Sequence, residues 1–181
     1  MGGLEATRRT WPAFARDVIE AAVRGRDDDQ AMAPDDAPEE YGGVFVTLKK
    51  FGRLRGCMGI LDGSRPLAET VRDAARTAAL RDPRFSPVTP DELGDVRIEV
   101  SVLSRPWLMR SIDELEIGKH GIIVERGARR GLFLPQVATE HHLDKEMFLS
   151  RCSAEKAGLS PHAWRDPQTR VWLFTADIYS E

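Results

Sequence analysis

Apolar residues recur at helical spacing near the start of the chain. Phe14, Val18 and Ala22, with Ala15, Ile19 and Val23, make one apolar face behind Thr10-Trp11-Pro12. A proline is tolerated in a first helical turn, and Gly25 supplies the stop. The period then changes to two: Val44, Val46 and Leu48 alternate with Phe45, Thr47 and Lys49, which predicts a strand. Lys50-Phe51-Gly52 is a tight connection, with Gly52 able to take positive φ, and a return strand follows from Arg53 to Leu61. Strict alternation puts Leu54, Gly56, Met58 and Ile60 on one face, and Arg53, Arg55, Cys57 and Gly59 on the other. A second helix is predicted from Pro66 to about Leu80. Its face of Leu67, Val71, Ala74, Ala75, Ala78 and Ala79 is small enough for close packing on a sheet.

The second half reads as strands and short helices. Val96 to Leu103 alternates cleanly. Ser111-Ile112-Asp113-Glu114 has the spacing of a capped turn. Residues 121–125 and 131–134 read as paired strands joined by a basic tip, Arg126-Gly127-Ala128-Arg129-Arg130. A helical segment begins at Pro135, and Asp144 caps another through about Ala157, with Cys152 inward and Gly158 as its stop. Val171 to Tyr179 reads as one final strand. Strands occur in hairpins or between irregular stretches, without βαβ alternation. The predicted class is therefore α+β, a mainly antiparallel sheet flanked by helices.

Composition narrows this picture. The 181 residues suit one domain or two closely packed subdomains. The net charge of −3 gives no support to nucleic acid as a bulk partner. No apolar run reaches the ~20 residues of a membrane-spanning helix. The first twenty residues carry Glu5, Arg8, Arg9, Arg16 and Asp17 and have no apolar signal-peptide core, so a cytoplasmic location is expected. Two cysteines in no paired motif fit a reducing compartment. Residues 26–40 hold seven acidic residues and two prolines, the composition of a mobile, solvated loop.

The candidate chemistry centres on R-L-R-G-C-M-G, Arg53 to Gly59. Cys57 has two readings: a small buried hydrophobe among glycines, or a nucleophile whose thiolate Arg55 favours from the same strand face. Gly56 marks a close approach of another backbone or a ligand. Arg55 and Arg84, flanked by Gly56 and Pro83, suit bidentate binding of a carboxylate or phosphate. The plain alternative is an ion pair to Glu69, Asp73, Asp82 or another carboxylate of the chain. His120 is a candidate general base for Cys57, set against an ordinary turn histidine. Gln136, following Pro135 at a helix start, is a candidate amide contact for a ligand, set against a cap or surface residue. His141 and His142 are adjacent and point about 100° apart on a helix, and no carboxylate stands at ligand spacing, so no metal site is expected. No Walker-type loop, GxGxxG, GxSxG or HExxH occurs, and no cofactor is expected.

Six stretches carry a family resemblance: L-R-G-C-M-G at Leu54–Gly59, D-P-R-F-S-P at Asp82–Pro87, I-E-V-S-V-L-S at Ile98–Ser104, G-K-H-G-I at Gly118–Ile122, L-P-Q-V-A at Leu134–Ala138 and K-A-G-L at Lys156–Leu159. In this order they resemble the AMMECR domain, also called AmmeMemoRadiSam system protein A. Met58 stands where that family usually has Ile, and Leu143 where it often has Trp. The resemblance runs from A-R-D-V-I at Ala15 to the final strand, and it implies a single domain, residues 5–181, of two unequal subdomains with the R-G-C stretch near their junction. It implies association with a Memo-type protein and a radical SAM enzyme, and it supplies no reaction. Two functional expectations follow: an enzyme or enzyme subunit using an Arg/Cys cleft between the subdomains, with Cys57 and His120 catalytic and Arg55, Gly56, Arg84 and Gln136 binding; or a non-catalytic module binding protein or RNA through the same cleft.

Overall fold

In the computed structural model, residues 9–181 are described; the domain start at residue 5 and the charged residues Glu5 and Arg8 lie outside them. The chain forms two compact units, one containing residues up to Val102 together with Asp177–Glu181, the other Leu103–Ala176. The fold is α+β, with two four-stranded antiparallel sheets and flanking helices.

The first unit begins with α1 (Trp11–Val23), whose N-terminus is capped by Thr10 Oγ1 accepting from the Ala13 N–H. Its sheet has the order β2-β1-β3-β8, where β1 is Gly43–Lys50, β2 Arg53–Ile60, β3 Val96–Leu103 and β8 Ala176–Ser180. Helix α2 (Leu67–Leu80) packs on β1 and β2. Val44, Val46 and Leu48 bury one face of β1 against Phe14, Val18 and Ile19 of α1 and the alanine face of α2. The β1–β2 turn takes positive φ at both Phe51 (51°) and Gly52 (76°), the geometry of a type I′ hairpin turn. Residues 26–40 form no helix or strand, yet they are not wholly solvated. Asp28, Ala31 and Pro34 are buried, and Asp28 pairs with Arg76 of α2 at 2.6 Å. That ion pair is invisible to composition, because it joins residues 48 positions apart.

The second unit has the sheet order β4-β7-β5-β6, with β4 Trp107–Leu108, β5 Gly121–Arg126, β6 Arg129–Phe133 and β7 Arg170–Phe174. It also holds α3 (Pro135–Glu140) and α4 (Lys145–Arg151), the latter capped by Asp144 and continued by a π-helical turn, Cys152–Lys156. Cys152 is fully buried in this core, and burial pushes its thiol up to about 12.

Two expectations are corrected here. The single final strand is two strands in different sheets. They divide at Thr175, whose N–H donates to Ser104 Oγ and whose carbonyl accepts from the Ser104 N–H. Those bonds take Thr175 out of either ladder, so one strand ends at Phe174 and the next begins at Ala176. The edge strand β4 was not predicted; two residues are too few for a periodic signal.

Candidate functional site

The return strand does not keep the strict alternation that its sequence suggests. Leu48 opposes Gly56, but Lys49 opposes Leu54, so Arg55 is the extra residue of a β-bulge. This overturns the expectation that Arg55 and Cys57 share a face. Cys57 opposes Thr47, and its Sγ lies 3.3 Å from Thr47 Oγ1. Arg55 instead turns to the loop after α2. Its Nε and Nη2 donate to the two oxygens of Glu92 at 3.0 and 2.8 Å, and its Nη1 donates to the Ser86 carbonyl at 2.9 Å. Glu92 also accepts from Lys50 Nζ and from the Thr89 N–H. These donors, Arg55 foremost, hold its carboxyl well below the usual carboxylate range. Arg55 is thus committed to an internal ion pair, the plain alternative of the two readings.

Gly56 faces the helices. A Cβ there would stand 2.3 Å from the Ala78 carbonyl oxygen of α2. Of the close approaches expected at this glycine, the structure realises the one by a backbone, and the alanine face of α2 explains it.

Cys57 is held by the D-P-R-F-S-P stretch. Its N–H donates to Asp82 Oδ2 at 2.9 Å, and its carbonyl accepts from Arg84 Nη2 at 3.3 Å. Strand β2 is an edge of its sheet, so Asp82 and Arg84 satisfy backbone groups that a neighbouring strand would otherwise pair. Asp82 is buried and also accepts from Arg84 N, Nε and Nη2, the last at 2.7 Å. The Arg84 guanidinium holds the Asp82 carboxyl well below the ordinary range.

The Arg84 side chain is 52% exposed, although clamped on its Nε–Nη2 edge and set beside the Phe85 ring. Its Nη1 has no partner among the described residues. The outcome is a guanidinium fixed by a buried carboxylate, with one donor edge turned to whatever comes near. Beside it, burial pushes the half-buried Cys57 thiol above its ordinary value; the Thr47 hydroxyl and Arg84 only partly offset this. The cation acting on the thiol is Arg84, and the net displacement is away from the thiolate.

The remaining candidates belong to the second unit. His120 is buried; its Nδ1 accepts from the Glu116 N–H at 3.1 Å, and its ring meets Trp107 edge to face at 5.3 Å. Gln136 lies in the first turn of α3, its carbonyl accepting from Thr139 Oγ1. Among the described residues no group of three or more His, Cys, Asp and Glu is placed to hold a metal, and no helix is long and apolar enough to cross a membrane. Sequence reasoning missed Thr47 and Glu92. Thr47 was legible as a strand residue, but its pairing with Cys57 depends on the bulge.

The architecture, a two-sheet α+β domain with an arginine- and cysteine-bearing edge hairpin, defines the class. The sequence matches the AMMECR1 family over residues 12–179, and the chain belongs to that family. A protein of Methanothermobacter thermautotrophicus is 45% identical, covering 96% of this chain and 93% of its own. Protein TK0174 of Thermococcus kodakarensis is 41% identical, covering 93% of this chain and 87% of its own. The crystal structure of uncharacterized protein PH0010 from Pyrococcus horikoshii superposes with a TM-score of 0.84 at 38% identity, covering 94% of this chain and 89% of that one.

Proposed function

We propose that this chain is a recognition component of an enzyme assembly, binding a carboxylate or phosphate group of its partner through Arg84 beside a neutral Cys57. The observation that carries this reading is the Asp82 clamp, which orients Arg84 while leaving Nη1 unpartnered among the described residues. An arginine held on one edge has already lost much of its side-chain freedom, so the entropic cost of engaging an oxyanion is reduced. Cys57 supplies a small polarizable wall rather than a nucleophile, since its thiol is displaced away from the thiolate. The Memo-type protein and the radical SAM enzyme implied by the family resemblance are the first partners to test.

The test is affinity measured by calorimetry with the purified Memo-type protein and the radical SAM enzyme of the same organism. For at least one of them, Arg84→Ala weakens binding tenfold or more, Arg84→Lys recovers part of the loss, and Cys57→Ala stays within about twofold of wild type. A truncated charged hydrogen bond is worth ~1.5–3 kcal/mol, consistent with that tenfold. Binding unchanged by Arg84→Ala, or absent with both proteins, contradicts the proposal.

A further inference from the structure

The basic tip of the second unit is built differently from the sequence expectation. The strands continue to Arg126 and Arg129, leaving only Gly127 and Ala128 as the loop. Gly127 has φ 58° and Ala128 keeps a negative φ, the pattern of a type II′ turn. This tight turn places Arg126 and Arg129 directly opposite each other across the ladder. Like charges at directly opposed positions destabilise a hairpin.

Both arginines find neighbours within the unit. The next opposed pair toward the sheet on the same face is Val124 and Gly131. Gly131 lies tight against the end of the π-helical turn, where a Cβ would come within 2.4 Å of the Ala157 nitrogen. Arg129 Nη1 donates to the Gly158 carbonyl at 2.7 Å. Arg126 pairs with Asp166 at 3.1 Å and donates from Nη2 to Gln168 Oε1 at 3.0 Å. Arg126 is thus paired with a carboxylate, whereas the partner of Arg129 is a neutral backbone carbonyl. The two arginines line a shallow, solvent-open surface cavity of about 480 Å³ with Ala128, Leu159 and Ser160. Arg126 Nε, and Arg129 Nε and Nη2, have no partner among the described residues.

We propose that this cavity binds a phosphate group, free or carried on a small phosphomonoester. The opposed arginines carry two positive charges against the one carboxylate of Asp166, and both line the same cavity as Ser160. Three phosphoryl oxygens accept from more directions than the two of a carboxylate. The volume admits the ester substituent as well. The proposal is independent of the Arg84 site, which lies in the other unit.

The test is titration calorimetry of the whole protein at low ionic strength with sodium phosphate, O-phosphoserine and sodium acetate. Phosphate binds saturably and at least tenfold more tightly than acetate. Arg126→Gln and Arg129→Gln each weaken it tenfold or more, Arg129→Lys weakens it less, and Arg97→Gln, an exposed arginine of the first unit, leaves it unchanged. Tighter binding of phosphoserine than of phosphate identifies an ester as the source; equal or weaker binding identifies the free ion. Thermal melts check that each variant is folded, and phosphate raises the melting temperature of wild type but not of the two glutamine variants. Absence of saturable phosphate binding, affinity equal to that for acetate, or variants that bind as wild type overturns the proposal.

Discussion

Asp82→Asn is expected to lower stability at pH 7 by about 3 kcal/mol, the upper end for hydrogen bonds to a charged group, because the buried carboxylate accepts several bonds although its arginine partner is half exposed and screened. For a chain of this length that is a fall of roughly 6–12 °C in melting temperature. The carboxylate satisfies the Cys57 N–H and three nitrogens of Arg84, and an amide cannot accept all of them with both of its ends. The effect has a defined pH dependence. Because the folded-state pKa of Asp82 is depressed, its contribution is fully present above the unfolded carboxylate value, about 3.9. It is lost as pH falls through the folded value. Urea melts of wild type and variant therefore differ fully at pH 5–7, and the difference begins to shrink below about pH 4 and goes on shrinking as the pH falls further. A difference that persists undiminished at pH 2–3 would show that the lost stability is not the ion pair.

Gly56→Ala is expected to cost a similar ~3 kcal/mol, the upper part of the range for overpacking a close contact. The added Cβ meets a backbone carbonyl of α2, which has no rotamer to change, so the helix itself must move. Met58, two positions along the same strand, sets the comparison: Met58→Ala removes volume from a partly buried site and leaves α2 in place. Denaturant midpoints measure both. Near-neutral behaviour of Gly56→Ala would mean that α2 does not press on β2 as closely as the structure has it.

The hydrophobic pattern made the α+β class, α1, α2, β1 and β3 legible, because each has a long periodic run whose buried face the structure retains. The site was legible in place but not in detail. The R-G-C and D-P-R-F-S-P stretches do converge, with Cys57 held by Asp82 and Arg84. A single bulge at Arg55 separated the arginine from the cysteine, and nothing in a period-two reading registers one extra residue. The pairing of Arg55 with Glu92 spans 37 positions and rests on a 3-10 turn that presents the carboxylate. Tertiary ion pairs of that kind depend on the folded path of the loop, not on local residue spacing. The tight Gly127-Ala128 turn was likewise hidden, because a five-residue basic run reads the same whether two or five of its residues form the loop.

In the proposed function the hairpin bears a recognition site with a neutral thiol, not a thiolate centre. The pH dependence of Cys57 alkylation by iodoacetamide tests it most directly, with Cys152→Ala as background to remove the buried second thiol. The half-maximal rate is expected above the ordinary cysteine value of about 8.5. A further upward displacement is expected in Arg84→Gln, which removes the cation beside the sulfur. A half-maximal rate below pH 8 in the parent protein would contradict the proposed function and make Cys57 an activated nucleophile.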